Sequence, residues 1–135
     1  HDAVYVPGAK DNEARSADWL RRAVAAHALP CDPERAAALV ELTARHGQHA
    51  DLDGDAALFL DADMAILGAE PDAFDAYDAA IAREYEAVPA DAYRAGRRAF
   101  LLALLATPRL YLSNYFHAQL DGPARWNLAR ALSRY

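Results

Sequence analysis

Alanine is the feature that most constrains this chain, because it accounts for 34 of the 135 residues. Alanine has the highest helix propensity, and Leu, Arg and Glu, which are also abundant here, favour helices as well. Residues that favour strands are scarce, and no alternating strand pattern competes with the helical composition. The apolar residues larger than alanine are sufficient for a modest packed core. The sequence therefore predicts an all-α fold.

Glycine and proline divide the chain into segments of helical length. Asp32 followed by Pro33 is typical of a helix start, and Gly68 suits a helix end. We predict a single domain of six or seven helices, over about residues 13–29, 32–45, 53 or 55–68, 71–85, 89–107, 112–120 and 123–133. The fifth helix contains the most apolar run, residues 100–105, and is expected to be central and buried on most sides.

Charge and cysteine content narrow the classes of function. The net charge is −6, and Lys10 is the single lysine, so the chain lacks the basic face that extended nucleic-acid binding requires. No apolar run approaches the roughly 20 residues needed to cross a bilayer. Cys31 has no second cysteine with which to form an internal disulfide, which favours a reducing compartment, and we expect the cytoplasm.

One histidine and two aspartates occur among apolar residues at helical spacing. His46 follows Leu39 and Leu42 at positions i+7 and i+4, so its imidazole is expected to face the core. A hydrogen-bonded buried histidine without further function is the alternative. Asp61 and Asp63 are two residues apart, which places them about 200° apart around a helix, so they cannot bind one ion from the same face.

The neighbours of the two aspartates distinguish them. Asp63 shares its face with Phe59 and Ile66, so it is expected to point inward, where a carboxylate must be paired or bound to a metal. Asp61 lies on a face of small residues and could instead hydrogen-bond a neighbouring helix. We therefore choose Asp63 as the candidate ligand.

The dipeptide His1-Asp2 adds a second imidazole and a second carboxylate. With His46 and Asp63 it gives a set of nitrogen and oxygen ligands that suits a divalent ion such as Mn, Mg, Fe, Co, Ni or Zn. Because no thiolate accompanies these residues, a structural zinc site is not expected.

The order His1-Asp2, His46 and Asp63 resembles the HD superfamily of metal-dependent phosphohydrolases, which are all-helical proteins. The resemblance extends over nearly the whole chain to a bacterial group of predicted HD-domain hydrolases of unassigned substrate. The segments that carry it are His1-Asp2-Ala3-Val4-Tyr5, Asp11-Asn12-Glu13 with Ser16-Ala17, Thr43-Ala44-Arg45-His46, Phe59-Leu60-Asp61-Ala62-Asp63 with Ile66-Leu67-Gly68, Arg83-Glu84-Tyr85, Gly96-Arg97, and Ala124-Arg125 with Asn127.

The resemblance implies an HD-type helical bundle over residues 1–135. Members commonly bind one divalent metal through an earlier histidine, the His-Asp pair and a later aspartate. Here the matching positions are His1, Asp2 and Asp63, and His46 would be a further ligand or a phosphate contact. Because the chain starts at His1, we expect it to lack the helix that carries the earlier histidine.

The implied reaction is hydrolysis of a phosphate ester by a metal-activated water. Glu13 is the first candidate for the carboxylate that orients or deprotonates this water, and Asp11 is the second. Both also suit the start of a helix, which is the structural alternative. Lys10, Arg83 and Arg97 could contact phosphate, although the two arginines could equally link helices.

The expected partner is a small phosphorylated substrate such as a nucleotide, and assembly into a homo-oligomer stays open. Two other hypotheses remain. The chain could be a non-catalytic helical module that binds a metal or a phosphoryl ligand. It could also be a purely structural bundle, in which replacing His46 or Asp63 by an apolar residue is neutral or stabilising.

Overall fold

A computed structural model describes residues 1–46, 52 and 54–135. Within these ranges the regular structure is helical and contains no strand, which confirms the predicted all-α fold. The elements are α1 (Asn12–His27), α2 (Pro33–Leu42), α3 (Gly54–Asp63), α4 (Pro71–Glu84), α5 (Ala90–Ala106) and α6 (Asn114–Leu132), with 3₁₀ segments Thr43–Arg45 after α2 and Met64–Gly68 after α3. Asp53, the earlier of two predicted starts for the third helix, lies outside the described residues.

The internal contacts of the chain divide it into two compact units, His1–His49 and Ala50–Tyr135. The organisation as a single domain stays a prediction. No helix in the described part of the chain has the length and apolar character needed to cross a membrane.

The first unit is built on the pairing of α1 with α2. Ala17 and Ala37 are completely buried at this contact, where Val40 and Leu20 complete a small apolar cluster. The carboxylate of Asp32 accepts hydrogen bonds from the two amides at residues 34 and 35, at 3.0 and 3.1 Å, so the predicted start of α2 is confirmed. Because alanines occupy the contact, little apolar bulk is buried there.

The second unit contains the larger core. Residues from the 3₁₀ segment after α3, from α4, α5 and α6, and from the stretch before α6 form it: Leu67, Phe74, Leu101, Leu110, Tyr111, Ala124, Leu128 and Ala131. The hydroxyl of Tyr111 donates a hydrogen bond of 3.1 Å to the carbonyl of Met64. Desolvation by burial raises the pKa of Tyr111 to about 12, which favours the protonated phenol that donates this hydrogen bond.

The predicted break between a sixth and a seventh helix is wrong. Pro123 lies inside the continuous helix α6. A proline in a helix interior removes one backbone hydrogen bond and costs about 3 kcal/mol. Ala124, Leu128 and Ala131 of the following turns are completely buried in the core, and this packing offsets the cost.

The fifth helix is less buried than expected. Leu101 is completely buried and Arg97 is 8% exposed, but Phe100 and Leu102 are 44% and 43% exposed. Consecutive apolar residues point in different directions around a helix, so a surface helix can bury only some of them. The run 100–105 therefore does not make α5 a central helix.

The choice between the two aspartates of α3 is also corrected. Asp61 is 1% exposed, and its two carboxylate oxygens accept hydrogen bonds from the amides of Leu112 and Ser113, both at 2.7 Å. The hydroxyl of Ser113 in turn accepts the amide of Phe116 at 3.2 Å and caps α6. Asp63 is only half-buried. The interpretation that Asp61 hydrogen-bonds a neighbouring element is therefore correct, whereas the more inward position expected of Asp63 is wrong.

A buried ion pair joins α4 to α5. Both Nε and an Nη atom of Arg97 donate to the same oxygen of Asp78, at 3.1 and 2.8 Å, and the Tyr135 hydroxyl donates to the other oxygen at 2.9 Å. Although desolvation favours the neutral form of Arg97, its hydrogen bonds to Asp78 outweigh this and raise the pKa of the guanidinium. Arg97 therefore links two helices, which is the structural alternative of the sequence analysis.

Gly68 marks the closest approach of the 3₁₀ segment Met64–Gly68 to α6. A Cβ atom at this position would lie 2.7 Å from the Cβ of Leu120 and 3.0 Å from its carbonyl oxygen. The backbone of α6 cannot yield as a flexible side chain would, so only glycine fits here.

Gly68→Ala is expected to lower the free energy of unfolding by about 1–3 kcal/mol, because it overpacks this contact. Gly96→Ala is the matched control: a Cβ there meets nothing within 4 Å, and alanine is the better residue in a helix. Urea denaturation of both variants measures the difference. Equal stabilities would contradict the close approach.

Asp61→Asn is expected to lower the free energy of unfolding by about 1–3 kcal/mol, because the amide offers only one acceptor to two buried backbone donors. Asp63→Asn is the comparison on the same helix, with a smaller expected loss since Asp63 is half-buried. Urea denaturation at neutral pH ranks the two variants. A larger loss for Asp63→Asn would reverse our assignment of the structural aspartate.

Candidate functional site

The residues that follow the His1-Asp2 dipeptide are fastened to α1 by two buried polar side chains. Ser16 Oγ accepts the amide of Val4 at 2.9 Å and donates to the Val4 carbonyl at 3.1 Å. Asn12 likewise accepts the amide of Val6 and donates to its carbonyl, both at 3.0 Å. Ser16 and Asn12 are 1% and 5% exposed. Each side chain therefore satisfies both backbone groups of one residue, as a neighbouring strand would.

His1 and Asp2 lie next to this anchored stretch. His1 Nε2 is 3.1 Å from Asp2 Oδ2, and the side chains are 25% and 51% exposed. An imidazole nitrogen and a carboxylate oxygen at this separation can both reach one divalent ion at about 2.0–2.2 Å each, so the pair fits a metal with nitrogen and oxygen ligands.

A groove of about 500 Å³ opens on the first unit, at the start of α1 and the end of α2. Its volume is within the range of small-molecule sites. The lining residues are Lys10, Glu13, Ala14, Ala38, Glu41, Leu42, Ala44 and Arg45. Three of them are alanines, and their small side chains leave the space that the groove occupies.

The charged groups of the groove differ in their partners. Glu41 forms an ion pair of 3.2 Å with Arg21, which also contacts Asp18 and Glu34. Among the described residues, the side chains of Lys10, Glu13 and Arg45 form no hydrogen bond or ion pair with the chain. Two cationic groups and one carboxylate of the groove are therefore available to a ligand.

The structure brings some of the predicted site residues together. Lys10 and Glu13 line the same groove, and His1 pairs with Asp2. Asp11 is exposed at the position before α1, but its side chain makes no capping hydrogen bond. The capping alternative therefore does not account for Asp11, although Glu13 does lie in the first turn of α1.

The other predicted residues are not among those that line this groove. His46 is half-buried directly after the 3₁₀ segment Thr43–Arg45. Asp63, Arg83 and Arg97 belong to the second unit, where Arg83 is exposed near the end of α4 and Arg97 is committed to Asp78. Across residues 1–46, 52 and 54–135, no group of three or more His, Cys, Asp or Glu side chains is close enough to hold a metal ion.

Arg45 and Glu41 are groove residues that sequence reasoning did not select. Arg45 belongs to the motif Thr43-Ala44-Arg45-His46, in which His46 is the predicted ligand. The available signal was the spacing of Ala38, Glu41 and Arg45 at i, i+3 and i+7, which predicts one shared helical face. That face could not be assigned to a groove without knowing what packs beside it.

A second cavity, of about 380 Å³, lies in the second unit beside Trp126 and Asn127. The Asn127 amide already donates to the carbonyls of Leu67 and Ala69, at 2.9 and 2.8 Å. The Arg130 guanidinium covers the Trp126 ring at 5.0 Å from its centroid. These groups hold the fold, so the groove of the first unit is the better candidate site.

No family model, curated protein or solved structure matches the chain.

Ser16→Ala is expected to release Val4 from α1, because the alanine methyl group replaces both hydrogen bonds. The amide of Val4 should exchange with solvent roughly five- to tenfold faster, as expected for a hydrogen bond worth about 1 kcal/mol. Hydrogen exchange followed by NMR measures this rate, with Ser133→Ala near the opposite end of the chain as the control. Unchanged exchange at Val4 would contradict the anchoring role of Ser16.

Proposed function

We propose that this chain is a metal-dependent phosphohydrolase that cleaves a phosphomonoester or a nucleotide phosphate. The observation that carries the proposal is the groove in which Lys10 and Glu13 occur together. Lys10 is the expected phosphate contact and Glu13 the expected catalytic carboxylate. The pairing of His1 with Asp2 in the same unit supports the proposal.

The metal ligands in this proposal are His1, Asp2 and His46 of the first unit, and the ligand role of Asp63 stays an expectation from the sequence. Imidazole and carboxylate ligands suit Mn, Mg, Fe, Co, Ni or Zn. A bound divalent ion would lower the pKa of a coordinated water and neutralise charge on the phosphoryl oxygens. Ser16 and Asn12 then have a role in this chemistry, because they restrict the movement of the stretch that follows His1 and Asp2.

The proposed roles of the other residues follow from their charge. Glu13 is half-buried and has no partner among the described residues, so its carboxylate can accept a proton from water. Lys10 supplies a positive charge for the phosphate in the same groove. Asp11, exposed and without a capping bond, is the second candidate base. Arg83 belongs to the second unit and stays an expectation from the sequence, whereas Arg97 is bound to Asp78.

Hydrolysis is expected when the chain is supplied with Mn²⁺ and a panel of phosphomonoesters and nucleotides. Asp2→Asn should abolish turnover together with metal binding. Glu13→Gln should lower kcat by about 10²–10⁴-fold, the range for loss of a general base, while leaving the metal content unchanged. Phosphate release and elemental analysis measure the two properties.

Glu86→Gln is the matched control, because it neutralises an exposed glutamate outside the groove. It should retain full turnover. Absence of hydrolysis by the Mn²⁺-loaded chain across the whole panel would contradict the proposed hydrolase activity and favour a non-catalytic binding module. Unchanged turnover in Glu13→Gln would remove Glu13 from the mechanism.

A further inference from the structure

The docked segment, residues 4–6, is attached to α1 mainly by Asn12 and Ser16. These two side chains make four hydrogen bonds of 2.9–3.1 Å to backbone groups of the segment. The segment buries little apolar surface in addition, because Tyr5 and Val6 are 46% and 45% exposed. Each hydrogen bond replaces one that the same groups make to water in a released segment, so its net contribution is small. The docked form is therefore only moderately more stable than a released one.

The His1-Asp2 pair is joined directly to the docked segment. Only Ala3 separates Asp2 from Val4, and the amide of Ala3 donates to the carbonyl of His1 at 3.1 Å. This three-residue turn restricts the backbone of the pair. In this arrangement His1 Nε2 and Asp2 Oδ2 lie 3.1 Å apart. The freedom of both side chains to move relative to α1 therefore depends on whether the segment is docked.

We propose that Asn12 and Ser16 are positioning residues for a divalent cation bound by His1 and Asp2, so that docking of the segment and binding of the cation favour each other. The choice of a divalent cation rests on the metal site of the proposed function. The docking itself rests on the four hydrogen bonds and on the burial of the two polar side chains, which are 5% and 1% exposed.

The link between docking and binding arises from the conformational entropy of the segment. A cation that binds the released segment must restrict the backbone of His1 and Asp2, whereas docking has already restricted it. The cation therefore binds the docked form more tightly. Because coupling between two equilibria is reciprocal, a bound cation strengthens docking by the same factor.

Calorimetric titration of the full chain with Zn²⁺ alone tests the effect of docking on binding. Zn²⁺ is a suitable probe because it accepts imidazole and carboxylate ligands. Asn12→Ala combined with Ser16→Ala removes all four hydrogen bonds and is expected to weaken Zn²⁺ binding about fivefold or more, the lower end of typical coupling factors. Alanine favours helices, so α1 should still form in this double variant, and circular dichroism checks that it does.

Two further variants show where Zn²⁺ binds and what the double variant changes. Asp2→Asn should remove the Zn²⁺ binding that depends on docking. Ser133→Ala is the matched control, because it also removes a serine hydroxyl that is hydrogen-bonded to a backbone carbonyl, that of Arg130 at 2.7 Å in the second unit. It should bind Zn²⁺ as the unmodified chain does.

Hydrogen exchange followed by NMR tests the effect of binding on docking and needs no substitution. Saturating Zn²⁺ is expected to slow exchange of the Val4 and Val6 amides about fivefold or more. The amide of Val40 in α2 is the internal reference, because Val40 belongs to the same unit but not to the docked segment. This measurement decides the question alone if the double variant does not fold.

Four results would overturn the inference. They are equal Zn²⁺ affinities of the double variant and the unmodified chain, an equal loss of affinity in Ser133→Ala, unchanged exchange at Val4 and Val6, and exchange that slows as much at Val40 as in the docked segment. The last of these would indicate general stabilisation of the unit.

The outcomes separate this inference from the proposed function. Zn²⁺ binding that is linked to docking, without hydrolysis of any ester by the Mn²⁺-loaded chain, would keep the positioning role and remove the hydrolase. Hydrolysis that is lost in Asp2→Asn, with equal Zn²⁺ affinities of the double variant and the unmodified chain, would keep the hydrolase and remove the positioning role.

Discussion

The carboxylate of Asp61 holds the two amides that precede α6, and the position of that helix depends on it. α6 supplies three of the completely buried core residues, so fixing the start of α6 stabilises the core of the second unit. A buried carboxylate without partners would be strongly unfavourable, which means that the folded unit must keep both hydrogen bonds. Gly68 imposes a second constraint on the same helix through its contact with Leu120.

Other polar side chains also bind backbone groups, because alanine-rich helices bury little apolar surface. An alanine contributes much less hydrophobic stabilisation than a leucine, so the helices need additional contacts with each other. Side chains that bind backbone groups provide them. Asn127 binds the carbonyls of Leu67 and Ala69, and Arg125 binds carbonyls at the end of α5 while pairing with Asp121. The composition that predicts helices also accounts for this dependence on polar contacts.

Features that depend on neighbouring residues could be predicted from the sequence. Features that depend on residues far away in the chain could not. Asp32 and Pro33 act within one turn, so the start of α2 could be predicted. Pro123 has an equally clear local preference, yet packing of the following turns against the core overrides it. Asp61 could not be ranked above Asp63, because its partners lie about 50 residues later in the chain. Glu13 could be predicted from a motif and Lys10 from its charge, whereas Arg45 is identified as a groove residue only in the structure.

The anchoring of Val4 by Ser16 and of Val6 by Asn12 fixes how residues 4–6 are aligned along α1. Four residues of a helix rise about 6 Å, and two residues of fully extended chain span at most about 7 Å. These lengths agree only when the chain between the two valines is nearly straight, and it runs antiparallel to α1. An insertion or a deletion between Val4 and Val6 would destroy this agreement, whereas the turn at Pro7-Gly8 could change length without affecting it. The number of residues between Val4 and Val6 is therefore more restricted than the identity of their side chains.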